Sequence, residues 1–277
     1  MQYITLAQAA AELRTSLDTD TFKGRVYELI EECGKVLESL CNRRFDHVIA
    51  TYRYDYKSVK HGGDIDGREL LLRADCQQLL SVTNGDGVTV STNDYVLLPD
   101  NPITHYSSVE ITNQTLLWQP GTNARRAIAI RGVWGYGGRW VNTLKTLTSA
   151  MDAVQATLSI NNAVGLERGQ VIRVGEEYML IETVVTGTLT VSRAHNGSSA
   201  TPHDSGTAIY LFQPDTLVQR AIKRMVRWYD KLGDNPLFGL VQMGEITVPA
   251  DFTVMPKDLQ AMIEQLRKSV RFMGVTP

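Results

Sequence analysis

The chain has 277 residues, enough for one large or two modest domains whose core needs no disulfide or metal staple. Its 28 basic and 30 acidic residues leave a formal charge of −2, which removes any bulk electrostatic case for a nucleic-acid or anionic-membrane binder. Hydrophobic residues make up 43%, too many for a disordered chain, and no apolar run approaches the ~20 residues of a membrane helix.

The first residues, Met1-Gln2-Tyr3-Ile4-Thr5, lack a basic stretch followed by an apolar run, so no signal peptide is expected and the chain reads as a soluble cytoplasmic product. Thr5-Leu6-Ala7-Gln8 fits a capping box opening a short helix to about Arg14. Asp18-Thr19-Asp20 offers caps for a longer helix, whose Phe22, Val26, Leu29, Ile30, Cys33, Val36, Leu37 and Leu40 recur at spacings of three and four. Cys33 and Cys41 stand eight apart on that helix, about 12 Å along its axis and too far to bond. With Cys76 they read as three buried thiols in a reducing compartment.

From Val48 to Val133 short strands are expected between turn signals, chiefly Val88–Val90, Tyr95–Leu98, Val109–Ile111 and Ala127–Val133. The Gly/aromatic run Gly135-Tyr136-Gly137-Gly138 closes this part as a turn that lets backbones approach closely. A second β-rich stretch, residues 142–213, follows with five short strands, the content of a small barrel or sandwich. Helical period returns at Asp215, where Val218, Ile222, Met225, Tyr229 and Leu232 form an apolar stripe that Gly233 and Pro236 end. An extended stretch (Ile246, Val248, Phe252, Val254) leads to a last helix starting at Pro256. The expected architecture is α+β: a helical host domain with a β-strand portion, residues 1–141 and 214–277, carrying an inserted all-β small barrel or sandwich at 142–213.

Motifs for catalysis are weak. His47, His61, His105, His195 and His203 are scattered, without the short-spaced pairs of zinc sites. Asp64-Ile65-Asp66-Gly67 resembles the start of a calcium loop, but position 75 is Asp75 where a bidentate Glu is needed. No catalytic, cofactor or metal residues are assigned. An enzyme would need His47, His61 or His105 gathered with carboxylates in a pocket. Two surfaces stand out instead. Arg220, Lys223, Arg224, Arg227 and Lys231 recur at three and four opposite the apolar stripe, a solvated face or a contact with an acidic neighbour or DNA. Leu259, Met262, Ile263 and Leu266 form the apolar side of the last helix, which either packs on its own core or docks in a partner's groove.

The order of elements carries a resemblance. The capped short helix, the longer helix ending Leu40-Cys41-Asn42-Arg43-Arg44-Phe45, the Gly135-Tyr136-Gly137 strand end and the helix Leu217-Val218-Gln219-Arg220-Ala221-Ile222 through Trp228-Tyr229 resemble tailed-bacteriophage head–tail connector (adaptor) proteins. In that family these places read like TGRRF, AGYG and IKQAILLLVAHWY. The similarity covers residues 1–141 and 214–277; the intervening 142–213 and the long C-terminal segment depart from it. Within the insertion, Glu177-Tyr178-Met179-Leu180-Ile181, Leu189-Thr190-Val191-Ser192-Arg193-Ala194-His195-Asn196-Gly197 and His203-Asp204-Ser205-Gly206 are similar to a small β-module recurring in phage structural proteins.

The resemblance implies a non-enzymatic virion protein, made in the host cytoplasm and placed in the neck. Its subunits would form a ring, usually twelvefold, beneath the portal protein around the DNA channel, with self, portal and a downstream neck or tail protein as partners. Non-specific contact with packaged DNA is possible in such a place; no cofactor and no membrane are implied. The alternative is another tail or baseplate protein whose β-module binds carbohydrate, for which Tyr178, Tyr210 and Phe212 are the available aromatics.

Overall fold

The computed structural model describes residues 2–17, 19–58, 60, 62–233 and 255–267. His61 and the stretch holding Ile246, Val248, Phe252 and Val254 lie outside them. By contacts the chain forms two compact units, one of Met1–Asn42 with Arg139–Lys268 and the other centred on Arg43–Gly138. This grouping and the sequence-based partition into 142–213 within 1–141 and 214–277 cut the chain at different points.

In the first unit α1 (Leu6–Leu13) opens with the expected capping box: Gln8 N donates to Thr5 Oγ1 at 3.1 Å, and Thr5 N donates back to Gln8 Oε1 at 3.0 Å. Thr19 caps α2 (Asp20–Cys41), accepting from Phe22 N. The next helices are α3 (Thr216–Gly233), with Asp215 Oδ1 accepting from Leu217 N, and α4 (Lys257–Leu266). α3 packs against the other three. Its Val218, Ala221, Ile222, Met225 and Val226 are fully buried, as the three-and-four spacing requires. The same unit holds an antiparallel sheet formed by β8 (Arg139–Thr146), β9 (Thr157–Ser159), β10 (Val171–Val174), β11 (Glu177–Val185), β12 (Thr188–Ser192) and β13 (Ala208–Gln213). Their order is β8-β13-β10-β11-β12-β9, and a Leu147–Ile160 bridge joins the two outer strands so that the sheet closes around Ile172, Val174, Met179, Ile181, Leu189 and Ile209.

The second unit is a seven-stranded antiparallel sheet. It contains β1 (Val48–Tyr54), β2 (Ile65–Asp66), β3 (Glu69–Thr83), β4 (Thr89–Val90), β5 (Tyr95–Leu98), β6 (Tyr106–Ile111) and β7 (Ile128–Trp134) in the order β1-β7-β3-β6-β5, with β2 and β4 on β3. β3 pairs with β6 through its first part and β7 through its second, changing register between Leu71 and Cys76. Such irregularities bend a strand and raise its twist. The core collects Tyr54, Leu70, Val109, Ile111, Ile128, Ile130 and Trp134, and the Trp134 indole N–H donates to Ala50 O at 2.9 Å.

The expectation of a helical host domain is therefore corrected. The described residues are mostly β, in sheets of seven and six strands, beside four α-helices. Residues 43–138, assigned to the host, form an all-β unit. The reason is β3: Leu70 and Leu72 alternate inward, but Asp75 and Cys76 are buried in succession, so the bulge breaks the two-residue period that would have marked one 15-residue strand.

At Gly135, φ is +148°, and a Cβ would collide with the Asp46 carbonyl. Gly135→Ala is expected to cost about 2 kcal/mol or more in urea unfolding. At Gly24, within α2 and with open space around it, alanine is expected to add about 0.5–1 kcal/mol. Equal effects at the two sites would refute the close approach at Gly135.

Candidate functional site

Around the Gly135–Gly137 turn, backbone groups are satisfied by three other segments of the second unit. Gly135 N donates to Asp75 O (2.8 Å), Tyr136 N to Arg44 O (2.8 Å) and Gly137 N to Thr104 O (3.1 Å). Gln77 Nε2 donates to both Thr104 O and Gly135 O, and His47 Nε2 donates to Gly137 O at 2.9 Å. The Arg43 guanidinium lies 4.2 Å from the centre of the Tyr136 ring, and Phe45 meets that ring edge-on at 5.9 Å. Arg43 Nε is 3.0 Å from Asp75 Oδ2 but makes no aligned hydrogen bond, so the contact is an ion pair. His105 Nε2 is 3.1 Å from Asp75 Oδ1, and its Nδ1 is 2.9 Å from Thr104 Oγ1.

Of the histidines an enzyme would need beside carboxylates, the structure brings His105 to Asp75 and places His47 on a carbonyl. A hydroxyl, an imidazole and a carboxylate thus stand in series at Thr104, His105 and Asp75. Thr104 is the neighbour of His105 in sequence, and the Arg43 cation already compensates the buried Asp75. Asp64 of the calcium-like run is likewise engaged, accepting from Arg73 Nε (2.8 Å) and Nη2 (2.6 Å). The three cysteines are buried and form no disulfide, and burial pushes the Cys76 thiol up to about 12 and Cys33 higher still, leaving these two poor nucleophiles.

The α3 cations divide. Arg220 and Lys231 are exposed, while Lys223, Arg224 and Arg227 are half-buried. Arg224 Nη2 pairs with Asp258 Oδ2 of α4 at 2.8 Å. Arg220, Lys223 and Arg224 line a surface depression of about 420 Å3 with Glu12, Thr216 and Gln219. The chemistry offered is a cationic helix face tempered by Glu12, suited to an acidic surface without base-specific groups. On α4, Leu259, Met262, Ile263 and Leu266 are all buried, and the helix packs against α2 and α3. Its apolar face is filled by the chain's own core, the first of the two readings made from sequence.

The aromatics of the six-stranded sheet are engaged with one another. Tyr178 and Phe212 are buried, Trp140 lies 4.8 Å from Tyr178 and 5.3 Å from Phe212, and the Arg173 guanidinium sits between Trp140 (5.5 Å) and Tyr210 (5.0 Å). Trp140 and Arg173 were missed in sequence; the register Tyr178–Arg173–Tyr210 across three strands is what assembles them.

The Arg193 and His203 of the β-module motif converge on Glu177, whose side chain has no exposed surface. Arg193 Nε and Nη2 donate to Oε1 and Oε2 (2.6 and 2.7 Å), His203 Nε2 lies 2.9 Å from Oε2, and the amides of Ala194 and Thr201 donate at 3.1 Å. Arg193 also donates to the carbonyls of Asp152, Gln155 and Thr201, stapling two loops to β11. The β-module string already held Glu177 with Arg193 and His203; that the three side chains meet is what spacing could not show.

Comparison with known proteins adds no relative: no family model matches the chain, and neither a curated protein nor a solved structure matches it.

Burial by itself would raise the Glu177 carboxyl, but the hydrogen bonds from Arg193, His203 and the two amides outweigh it and hold it at about 2, below its ordinary 4.5. A depressed carboxyl stabilises the fold above its unfolded value and loses that contribution as pH falls. Between pH 4.5 and 2 the six-stranded sheet is expected to lose about 3 kcal/mol, read by urea unfolding followed by tryptophan fluorescence. Glu177→Gln is expected to be less stable at pH 7 by about 3–5 kcal/mol and flatter over that window; the same pH dependence in both proteins would remove Glu177 as its source.

Proposed function

We propose that this chain is a head–tail adaptor subunit of a tailed bacteriophage, a structural virion protein of the neck. Its copies form a ring, twelvefold by the family resemblance, between the portal and the next neck or tail component and around the DNA channel. The observation that supports this reading is the contact between Arg43-Arg44-Phe45 and Gly135-Tyr136-Gly137. These two strings of the resemblance lie about 90 residues apart, yet Arg43 stacks on Tyr136, Phe45 meets its edge, and Tyr136 N bonds to Arg44 O. Two short motifs that form one packed unit explain each other's presence.

The reading assigns mechanics and no reaction. A closed ring of identical subunits needs two different patches on each subunit that mate with a rotation that closes. With the α4 apolar face filled internally, these patches belong to other surfaces. Arg220, Lys223, Arg227 and Lys231 on α3 are the candidate contact to an acidic neighbour or to the channel DNA, with Arg224 held by Asp258.

Electron micrographs of the purified chain, alone and with portal protein, are expected to show rings; a monodisperse monomer at high concentration under both conditions would overturn the assignment. The triple reversal Arg220→Glu, Lys223→Glu, Arg227→Glu is expected to leave the circular dichroism unchanged while flattening the log–log salt slope of DNA retention by about 3. Retention and ring yield identical to wild type would remove α3 as the contact.

A further inference from the structure

Among the described residues the seven-stranded sheet ends at β1, which pairs with β7 alone. Alternate N–H and C=O groups of such a strand point away from the sheet. Ala50 O is taken by the Trp134 indole, whereas among the described residues the backbone from Thr51 to Tyr54 bonds to nothing beyond β7. A depression of about 500 Å3 is lined by Thr51–Tyr54 of this strand together with Arg73, Ala74 and Arg126. Arg73 and Ala74 fall where the β3–β6 register jumps from Leu71 to Cys76, so their stretch is also outside the ladder.

The charges of this groove are uneven. Arg73 is held by Asp64 at 2.6 Å and lies 3.7 Å from Asp55. Arg53 and Arg126 are exposed and form no ion pair among the described residues. An unused strand edge beside two uncompensated cations defines a ligand that supplies backbone donors, backbone acceptors and carboxylates together.

We propose that this groove receives an extended acidic segment of another protein chain, which adds to β1 as a strand and sets its carboxylates against Arg53 and Arg126. Side chains on one face of such a strand recur about every 6.8 Å, so two alternate carboxylates can meet two guanidinium groups while the main chains pair. A phosphate polymer fits less well. It has no N–H donors for the free carbonyls of β1. The other role for an arginine at a sheet edge is to guard it against pairing, and the test separates the two.

The probe is a fluorescent peptide, acetyl-Val-Glu-Thr-Glu-Val-Glu-Thr-amide, titrated with the full chain. Binding is expected to weaken at least tenfold with Arg53→Glu/Arg126→Glu, and similarly when each peptide Glu is replaced by Gln. It is expected to vanish when alternate peptide amides are N-methylated, and hydrogen exchange at Thr51–Tyr54 is expected to slow on binding. Three results would overturn the proposal. One is an N-methylated peptide that binds as tightly as the parent; another is polyphosphate that displaces the peptide and slows the same amides. The third is an Arg53→Thr protein that self-associates while peptide affinity stays unchanged, which would make Arg53 a guard.

Discussion

The turn at Gly135 has no room for a side chain, and much of the first sheet is arranged around that fact. With the Asp46 carbonyl passing against its α-carbon, the chain entering β1 and the chain leaving β7 are locked at one point. Asp75 and Gln77 of β3 then reach the same turn from the other side, at the bulge where β3 changes partner. A strand that serves two neighbours must turn somewhere. Here it turns where its carbonyl and side chains can hold a glycine-rich corner. Tyr136 converts the corner into a packing surface by offering its ring to Arg43 and Phe45.

Two buried carboxylates, Asp75 and Glu177, occupy comparable positions in their separate units. Each is desolvated, and each would destabilise its unit if left alone. Asp75 is compensated by one guanidinium and one imidazole. Glu177 has in addition a bidentate arginine geometry and two amides. Exchanging such clusters for apolar side chains can be neutral or stabilising. What they contribute is placement: each converts loops distant in sequence into a fixed corner of its sheet.

Helices were legible because their signals are local. The capping box at Thr5 and Gln8, the Asp215 cap and the α3 stripe all sit within a few residues of the structure they specify. Five strands of the six-stranded sheet were legible for the same reason, being short and bounded by glycines; β8, which crosses the expected boundary at residue 142, was not. β3 was not, since Arg73, Asp75 and Gln77 interrupt its apolar run for reasons that reside in Asp64, Arg43 and Thr104 elsewhere in the chain. The basic spacing on α3 could be read, but its neutralisation at Arg224 depends on Asp258, brought near by helix packing. An amphipathic pattern such as that of α4 reports that a face will be covered and is silent about what covers it.

The two ends of the first unit's sequence carry a kinetic consequence. Gln2 N bonds to Gly169 O, and Leu6 N, at the start of α1, bonds to the Glu167 carboxylate 161 residues away. α1 and α2 also pack on α3, which ends at Gly233. On a ribosome, residues 43–138 can complete their sheet as soon as they emerge, while the first two helices wait with apolar faces uncovered until the chain beyond residue 233 is made. At about 5–20 residues per second that interval lasts on the order of ten seconds or more. During it the amphipathic helix Asp20–Cys41 is the segment most in need of a chaperone, and the nascent chain would be captured there before anywhere else.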